Sequence, residues 1–116
     1  MQFSESELKE MIHNPGPINL QKTDLSGAFL RGANLARVDL RGAYMENTIL
    51  IRANLTFADL RDAYLESAQL DGAYLRGANL SGVDWTGCSL VSVDLSYAPL
   101  NLAILNNAYL METNLS

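Results

Sequence analysis

The sequence is poor in the residues that build disulfides, metal centres and catalytic sites. Its 116 residues include one cysteine, Cys88, and one histidine, His13. A single cysteine excludes an intrachain disulfide and cannot by itself form a cysteine-based metal site. We expect Cys88 to be a small core thiol and His13 to sit favourably at the end of a helix. Glycine-rich nucleotide-binding patterns are also absent. The sequence therefore predicts no catalytic residues, no cofactor and no metal site.

Long apolar runs and an excess of basic residues are missing as well. The apolar runs are only a few residues long, and the segment from Met1 to Glu7 lacks the basic start of a secretory signal. We therefore expect a cytoplasmic protein without a membrane segment. The 8 basic and 13 acidic residues give a net charge of -5, which argues against nucleic-acid binding and favours solubility.

What the sequence has in abundance is leucine at a fixed spacing. A leucine occupies every fifth position from Leu20 to Leu115, except where Met45 and Trp85 replace it. The residue two positions before each of these is small or β-branched and is never charged. A helix would scatter leucines of this spacing around its axis, and a strand would place alternate leucines on opposite faces. The chain is therefore predicted to turn a corner once per repeat, with the small residue and the leucine pointing inward.

A second period sets the number of corners in one circuit. The near copies DLRGAYMEN at 39–47 and DLRDAYLES at 59–67 lie 20 residues apart. Seven of the eight glycines fall two residues after a leucine position, where a turn with positive φ favours them. Four repeats would close one square coil, with stacked residues separated by the strand spacing of about 4.8 Å.

This pattern resembles the pentapeptide repeat family, whose motif A(D/N)LXX occurs here as GANLA, RANLT, FADLR and GANLS. The resemblance covers residues 18–116 and implies an all-β solenoid, a right-handed quadrilateral β-helix. Its coils would be 18–37, 38–57, 58–77, 78–97 and 98–116. Met45, Trp85 and Pro99 depart from the motif, so we expect irregular local geometry there. Trp85 should point inward and widen the coil around it, because an indole overfills a leucine position.

The two ends of the solenoid need cover. Residues 1–17 are predicted to form a short N-terminal capping α-helix, with Ser4 and Glu7 as a capping box and a Pro/Gly turn at 14–17. We expect this helix to cover the first coil, although a partner-binding helix is the alternative. The edge of the last coil would face solvent. Either the C-terminal coil forms an end-to-end homodimer, or a C-terminal tail is missing.

The register sorts the outward residues into four faces, named here after the leucine with which each begins. The Leu20 face carries mixed charges that sum to zero, and the Leu35 face carries Arg37, Phe57, Arg76, Asp94 and Tyr97. The Leu25 face has a net charge of -4 and is a candidate partner-binding face, with Asp24, Tyr44, Glu46, Tyr64, Glu66 and Asp84. The Leu30 face is a candidate apolar contact face, with Phe29, Ile49, Ile51, Val91, Tyr109 and Met111.

Two classes of function compete for these faces. The first is a non-catalytic protein-interaction scaffold, like many cyanobacterial members of the family, that binds a partner protein through the Leu25 or the Leu30 face. The second, implied by the quinolone-resistance branch of the family, is a DNA-mimicking inhibitor of type II topoisomerases such as DNA gyrase. Five coils span about 24 Å, over which duplex DNA carries about 14 charges. The repeats have 10 acidic and 7 basic residues, so their charge density favours the scaffold.

Overall fold

The computed structural model describes Ser4, Ser6 and residues 19–115. From residue 19 onward the main chain winds into a coil in which parallel bridges join residues 20 positions apart, from the pair Asn19–Asp39 to the pair Asp94–Asn114. Bridging residues recur every five positions, and the β-structure consists of these single-residue bridges rather than extended strands. Each circuit therefore has four sides, which confirms the predicted quadrilateral coil. The first to fifth coils are 19–37, 38–57, 58–77, 78–97 and 98–115.

Hydrogen bonds along the coil axis join each repeat to the repeats above and below it. The Leu25 N–H donates to the Tyr44 carbonyl at 2.7 Å, and the Tyr44 N–H donates to the Thr23 carbonyl at 2.9 Å. At the corner, the Gly27 N–H donates to the Glu46 carbonyl at 2.9 Å. The same three bonds recur in almost every repeat, and together they form the axial ladder. The ladder pairs backbone groups that would otherwise be left unsatisfied beside an apolar core.

Two local hydrogen bonds shape each corner. The Ala28 N–H donates to the Leu25 carbonyl at 3.0 Å, which closes the turn. The Ser26 N–H donates to the Asp24 carboxylate at 3.0 Å. The Asp or Asn of the repeat therefore caps the one N–H that the axial ladder and the turn bond leave free, as in an Asx turn. The same bond is made by Asn19, Asn34, Asp39, Asn54, Asp59, Asn79, Asp84 and Asp94.

The third residue of every described corner has a positive φ, between 55° at Lys22 and 73° at Gly82. This is the position where a type II turn requires the left-handed region. Seven of these residues are glycine and 12 are not. The corner conformation is therefore set by the ladder, which holds bulky residues such as Phe57 in a region that glycine adopts without cost.

The inward positions form one continuous apolar core through the first four coils. The leucines from Leu20 to Leu95, together with Met45 and Trp85, are buried, and so are nearly all the small residues two positions before them. Polar side chains at the small positions donate hydrogen bonds to backbone carbonyls of the same or a neighbouring coil. The Thr48 hydroxyl donates to the Met45 carbonyl at 2.7 Å, and the Cys88 thiol donates to the Leu65 carbonyl at 2.6 Å. The predicted inward register is confirmed.

Trp85 points inward, as the sequence predicts, and its side chain is completely buried. The axial ladder continues past it, since the Trp85 N–H donates to the Ile104 carbonyl at 2.7 Å and the Gly87 N–H donates to the Asn106 carbonyl at 3.0 Å. The indole Nε1 has no hydrogen-bond partner in the described part of the chain. Because a buried unpaired donor costs about 1–3 kcal/mol, Trp85 combines a large apolar contact with a polar penalty.

The fifth coil is less covered than the others. Leu105 and Leu110 are each 38% exposed, whereas the equivalent side chains of the fourth coil are buried. Pro99 also interrupts the ladder: along residues 19–115, Asn79 and Pro99 do not bridge as their neighbours do, because proline has no N–H. Two of the three ladder bonds remain at this point, from the Leu80 N–H to the Pro99 carbonyl at 3.0 Å and from the Gly82 N–H to the Asn101 carbonyl at 2.8 Å. The irregularity expected at Pro99 is therefore present.

The predicted capping helix at residues 1–17 and His13 lie outside the described residues, apart from Ser4 and Ser6. The capping role of residues 1–17 and the boundary between them and the repeats therefore stay predictions. Over the part of the chain that the structure describes, no helix has the length and apolar character needed to cross a membrane.

The buried leucines of the middle coil predict where truncation is most harmful. Leu60→Ala or Leu70→Ala should lower the free energy of unfolding by about 2–5 kcal/mol, because each leaves a cavity between stacked coils. Arg61→Ala, at an exposed position beside Leu60, should change it little. Thermal and denaturant unfolding of the three variants measures the difference. Equal losses for Leu60→Ala and Arg61→Ala would contradict the register.

Two substitutions of Trp85 separate the energetic contribution of its packing from that of its unpaired N–H. Trp85→Ala should cost about 3–5 kcal/mol, because most of the buried volume is lost. Trp85→Phe should cost clearly less, since phenylalanine retains a ring and removes the unpaired donor. Denaturant unfolding compares the two variants, and the native fluorescence should be blue-shifted. An emission spectrum like that of an exposed indole would rule out the buried position.

Candidate protein-interaction faces

The Leu20 face is held by an ion-pair network. The Arg41 guanidinium lies 2.8 Å from the Asp39 carboxylate and 3.8 Å from that of Asp59, and the Arg61 guanidinium lies 2.6 Å from Asp59. The Gln21 amide also donates to Asp39, at 2.7 Å. These charges neutralise one another across neighbouring coils, as the sequence predicts. The Leu20 face therefore presents little net charge to a partner.

The network shifts the pKa of Asp39. Hydrogen bonding from the Arg41 guanidinium, helped by the Arg41 N–H and by Gln21, lowers this pKa from its usual 3.8 to about 2. The Arg61 guanidinium lowers the pKa of Asp59 in the same way. Both carboxylates therefore stay charged in moderately acidic solution.

The Leu25 face brings two tyrosines together. The rings of Tyr44 and Tyr64 are stacked, with centroids 5.0 Å apart and planes 3° from parallel. Their side chains are 44% and 40% exposed, so each ring has one edge in solvent and its faces partly covered. The ring spacing matches the separation of bridged strands, which shows that the ladder itself aligns the pair. We call this stacked pair, Tyr44 and Tyr64, the tyrosine platform.

Acidic side chains surround this platform. Asp24 is exposed, whereas Glu46, Glu66 and Asp84 are half-buried against neighbouring coils. A hydrogen bond with Asp84, partial burial and repulsion from Asp84 and Glu46 all raise the pKa of Glu66. The raised pKa is the signature of negative charges held close together. The Leu25 face therefore brings the predicted residues together and leaves their charge unbalanced.

The Leu30 face is less continuous than the sequence suggests. Phe29, Tyr109 and Met111 are well exposed, but Ile49, Ile51 and Val91 are half-buried between neighbouring coils. Two polar residues, Gln69 and Asp71, interrupt the apolar row in the middle coil. Asp71 accepts hydrogen bonds from the Ser89 hydroxyl and from the Val91 N–H, at 3.0 Å for the latter. The six apolar residues thus form separated groups rather than one patch.

The Leu35 face contains contacts that the sequence analysis did not anticipate. The Arg37 guanidinium lies over the Phe57 ring, 5.2 Å from its centroid, and the Arg76 guanidinium lies over the Tyr97 ring at 4.6 Å. The signal was available in the register. Arg37 precedes Phe57 by 20 residues, and Arg76 lies one coil below Tyr97 and one position to the side. Opposed arginines and aromatic rings on stacked coils favour cation–π contacts.

The described residues contain little that suggests chemistry. Burial raises the pKa of the Cys88 thiol to about 12, so this group stays protonated and unreactive at neutral pH. Within residues 19–115 there is no group of three His, Cys, Asp or Glu side chains placed to hold a metal ion. The end of the fifth coil exposes Leu105, Leu110 and Leu115. An end-to-end contact between two copies there stays a prediction.

A filled core inside a four-sided coil, with charged and aromatic side chains on the outside, defines a repeat solenoid. The model of the pentapeptide repeat family matches this chain over residues 18–50, 30–66, 48–84 and 68–107, in 8 copies. The chain belongs to the pentapeptide repeat family. The family implies that the coil is a right-handed β-helix, as the sequence analysis expects. A search of curated proteins found no match.

Several solved structures are similar over most of this chain. A pentapeptide repeat protein from the cyanobacterium Cyanothece 51142 is 23% identical with a TM-score of 0.49, over 86% of this chain and 78% of that chain. HetL, a pentapeptide repeat protein involved in heterocyst differentiation regulation in Nostoc sp. strain PCC 7120, is 24% identical with a TM-score of 0.40, over 81% of this chain and 64% of HetL. QnrB1, a plasmid-mediated fluoroquinolone resistance protein, is 20% identical with a TM-score of 0.43, over 84% of this chain and 62% of QnrB1. With TM-scores below 0.5, these structures add nothing to the family model's assignment.

The pair formed by Asp39 and Arg41 predicts a change in acid stability. Because the folded-state pKa of Asp39 is below its unfolded value, the pair stabilises the fold above about pH 4 and this contribution is lost as the pH falls through about 2. Arg41→Gln should return the pKa of Asp39 towards 3.8 and weaken the dependence of stability on pH in this window. Carboxyl-detected NMR titration and acid unfolding measure both effects. An unchanged pKa would show that Arg41 does not hold Asp39.

Proposed function

We propose that this protein is a non-catalytic scaffold that binds a partner protein through its Leu25 face, and that the partner presents lysine or arginine side chains there. The observation that carries the proposal is the cluster of Glu46, Glu66 and Asp84 beside the stacked pair Tyr44 and Tyr64. Membership in a family whose members are typically non-enzymatic scaffold proteins supports the non-catalytic role.

The electrostatics of the Leu25 face favour a cationic partner. Its four acidic residues have no basic residue among them, and repulsion between neighbouring carboxylates helps to raise the pKa of Glu66. A lysine or arginine placed between Glu66 and Asp84 would replace that repulsion with charge-assisted hydrogen bonds. Binding of a cationic side chain would therefore relieve a repulsion that no basic residue of the Leu25 face relieves in the free protein.

The tyrosine platform supplies the apolar part of such an interface. Tyr44 and Tyr64 are held parallel by the coil, so they lose little side-chain entropy when a partner covers them. Their hydroxyl groups can accept hydrogen bonds from an arginine guanidinium, and their exposed edges can pack against an aliphatic side chain. Aromatic residues of this kind are the usual energetic centres of protein interfaces.

The placement of charge supports the scaffold over a DNA mimic that targets type II topoisomerases. A mimic of duplex DNA needs two continuous rows of negative charge along the rod. Here Asp39 and Asp59 of the Leu20 face are paired with Arg41 and Arg61, and unbalanced negative charge is concentrated on the Leu25 face. One acidic face of five coils fits a basic protein surface better than a DNA-binding channel.

A charge reversal on the Leu25 face tests the proposal. The wild-type protein and a variant carrying Glu46→Lys and Glu66→Lys should be used to capture partners from cells that express the chain natively. Partner identity and affinity should then be measured with purified components. We expect the variant to bind at least about tenfold more weakly, because like charges would meet across the interface.

The matched control carries Asp62→Lys and Glu112→Lys, which make the same change in charge at exposed positions of other faces. It should bind as the wild type does. Equal weakening by both variants would show that total charge, rather than the Leu25 face, determines binding. A gyrase supercoiling assay addresses the DNA mimic directly, and inhibition at micromolar protein would favour that function over the scaffold.

A further inference from the structure

One edge of the Leu35 face carries aromatic rings that the core does not use. The Phe57 and Tyr97 side chains are 53% and 73% exposed, and each has an arginine guanidinium over one ring face. Arg37, Phe57, Arg76 and Tyr97 lie on or next to a single corner column, and we call these four residues the arginine–aromatic edge. Each arginine is held in position by the ring beneath it, so the edge presents ordered positive charge next to apolar surface.

The backbone at this edge is strained. Phe57 and Tyr97 have φ values of 57° and 58°, in the left-handed region that bulky residues seldom adopt. Gly77 lies between them in the same column, and the Phe57 ring occupies the space that a Cβ on Gly77 would need. Glycine at all three corners would remove the strain without disturbing the core. The same φ recurs at every described corner of the coil, so this edge is distinguished by the aromatic side chains that its corners carry.

Charge distinguishes this face from the other three. The two arginines against Asp94 give the Leu35 face a net charge of +1, whereas the Leu20 and Leu30 faces sum to zero and the Leu25 face to -4. The Leu35 face is the one positive side in the described solenoid, and it lies opposite the most negative side. Both of these faces carry exposed aromatic rings, so the Leu35 and Leu25 faces are complementary in charge and can both contribute apolar contacts.

We propose that the arginine–aromatic edge docks on the Leu25 face of a second copy of this chain, with the two solenoids side by side. The proposal rests on the proposed function, because it names one occupant of the Leu25 face. Opposite sides of a coil run in opposite directions, so parallel solenoids in contact place the column of Arg37, Phe57 and Tyr97 against the column of Tyr44, Tyr64 and Asp84.

The charged residues of the two faces share a spacing. Arg37 lies in the first coil and Arg76 in the third, while Glu46 lies in the second and Asp84 in the fourth. Both pairs are therefore separated by two coils, or about 10 Å. A shift of one coil between the two copies brings Arg37 level with Glu46 and Arg76 level with Asp84. Arg37 then faces Tyr44, with Glu46 two residues further along the same side, and Arg76 lies beside Asp84.

The same one-coil shift matches the apolar groups. Phe57 of the second coil becomes level with Tyr64 of the third, and Tyr97 of the fourth coil becomes level with Ile104 of the fifth. Ile104 is exposed, and it continues the tyrosine column of the Leu25 face. The acidic residue of the Leu35 face, Asp94, becomes level with the uncharged Ile104 and Asn106, so no like charges meet.

The size of the faces sets the strength of this contact. One side of the solenoid offers roughly 500 Å² to a neighbour, so the contact buries about 1,000 Å² in total, which is the range of weak and transient interfaces. The contact joins two different faces, so a dimer still has one free Leu25 face and one free Leu35 face. Further copies can therefore add at both sides, and the assembly does not close. We therefore expect side-by-side assemblies whose mean mass rises continuously with concentration.

Sedimentation and light scattering of the purified chain test the proposal at about 1 mM protein and about 20 mM salt, where the screening length exceeds the width of a coil side. We expect self-association that weakens at least about tenfold when the salt is raised to about 0.5 M. Reversing the edge with Arg37→Glu and Arg76→Glu should make the chain monomeric. The matched control, Arg31→Glu and Arg52→Glu on the Leu30 face, should associate as the wild type does.

Complementation between variants separates the docking of two faces from a general effect of charge. The variant with Glu46→Lys and Glu66→Lys should also be monomeric alone, while its equimolar mixture with the Arg37→Glu and Arg76→Glu variant should associate. One variant keeps an intact Leu25 face and the other keeps an intact arginine–aromatic edge. Circular dichroism and thermal unfolding check that both variants are folded.

A wild type that stays monomeric under these conditions would overturn the inference, and so would assembly that neither variant weakens, as expected for contact through the exposed leucines of the fifth coil. A mixture that remains monomeric would overturn it too. The proposed function has a different mode of failure, because the Arg37→Glu and Arg76→Glu variant leaves the Leu25 face intact. That variant should still bind the captured partner.

Discussion

The hydrogen bonds of the axial ladder are the constraint on which the rest of this structure depends. Each bridging residue pairs with the residue 20 positions later, so every circuit must contain the same number of residues and turn the same number of corners. A square coil of this size leaves an interior just wide enough for one leucine and one small side chain per repeat. The leucine positions and the neighbouring alanines therefore follow from the ladder, and Trp85 is tolerated because the bonds on each side of it are kept.

The ladder also determines the surface. Side chains 20 residues apart are held one coil apart, so a column of the solenoid behaves like a row of rigidly spaced substituents. Tyr44 stacks on Tyr64, and Arg41 reaches carboxylates in its own coil and in the next one, without loops to position them. The backbone therefore fixes the spacing of the surface groups, and the sequence determines which residue types occupy each column.

The sequence predicted the coil, the inward register and the membership of each face, because all three depend on a strict period. It also predicted the burial of Trp85, since an indole at a leucine position has no other apolar place to go. It did not predict that Ile49, Ile51 and Val91 would be half-covered by neighbouring coils, because the depth of an outward side chain depends on its rotamer. The register places Arg37 under Phe57 and Glu66 near Asp84, but it does not define whether these side chains point towards each other, so both contacts were missed. The role of the repeat's Asp or Asn became clear only when the N–H groups of each corner were assigned partners.

Pro99 weakens one junction between coils, and we expect the solenoid to open there first. In a structure whose coils contact only their immediate neighbours, the chain opens most readily where a junction has the fewest bonds. The junction between the fourth and fifth coils lacks the bond that Pro99 would donate to the Ala78 carbonyl, and the fifth coil already exposes its leucines. Amide hydrogens of residues 98–115 should therefore exchange with solvent while the earlier coils remain protected. The first four coils, whose junctions keep the bonds of the ladder, would then hold the acidic and arginine-bearing faces intact while the junction at Pro99 opens.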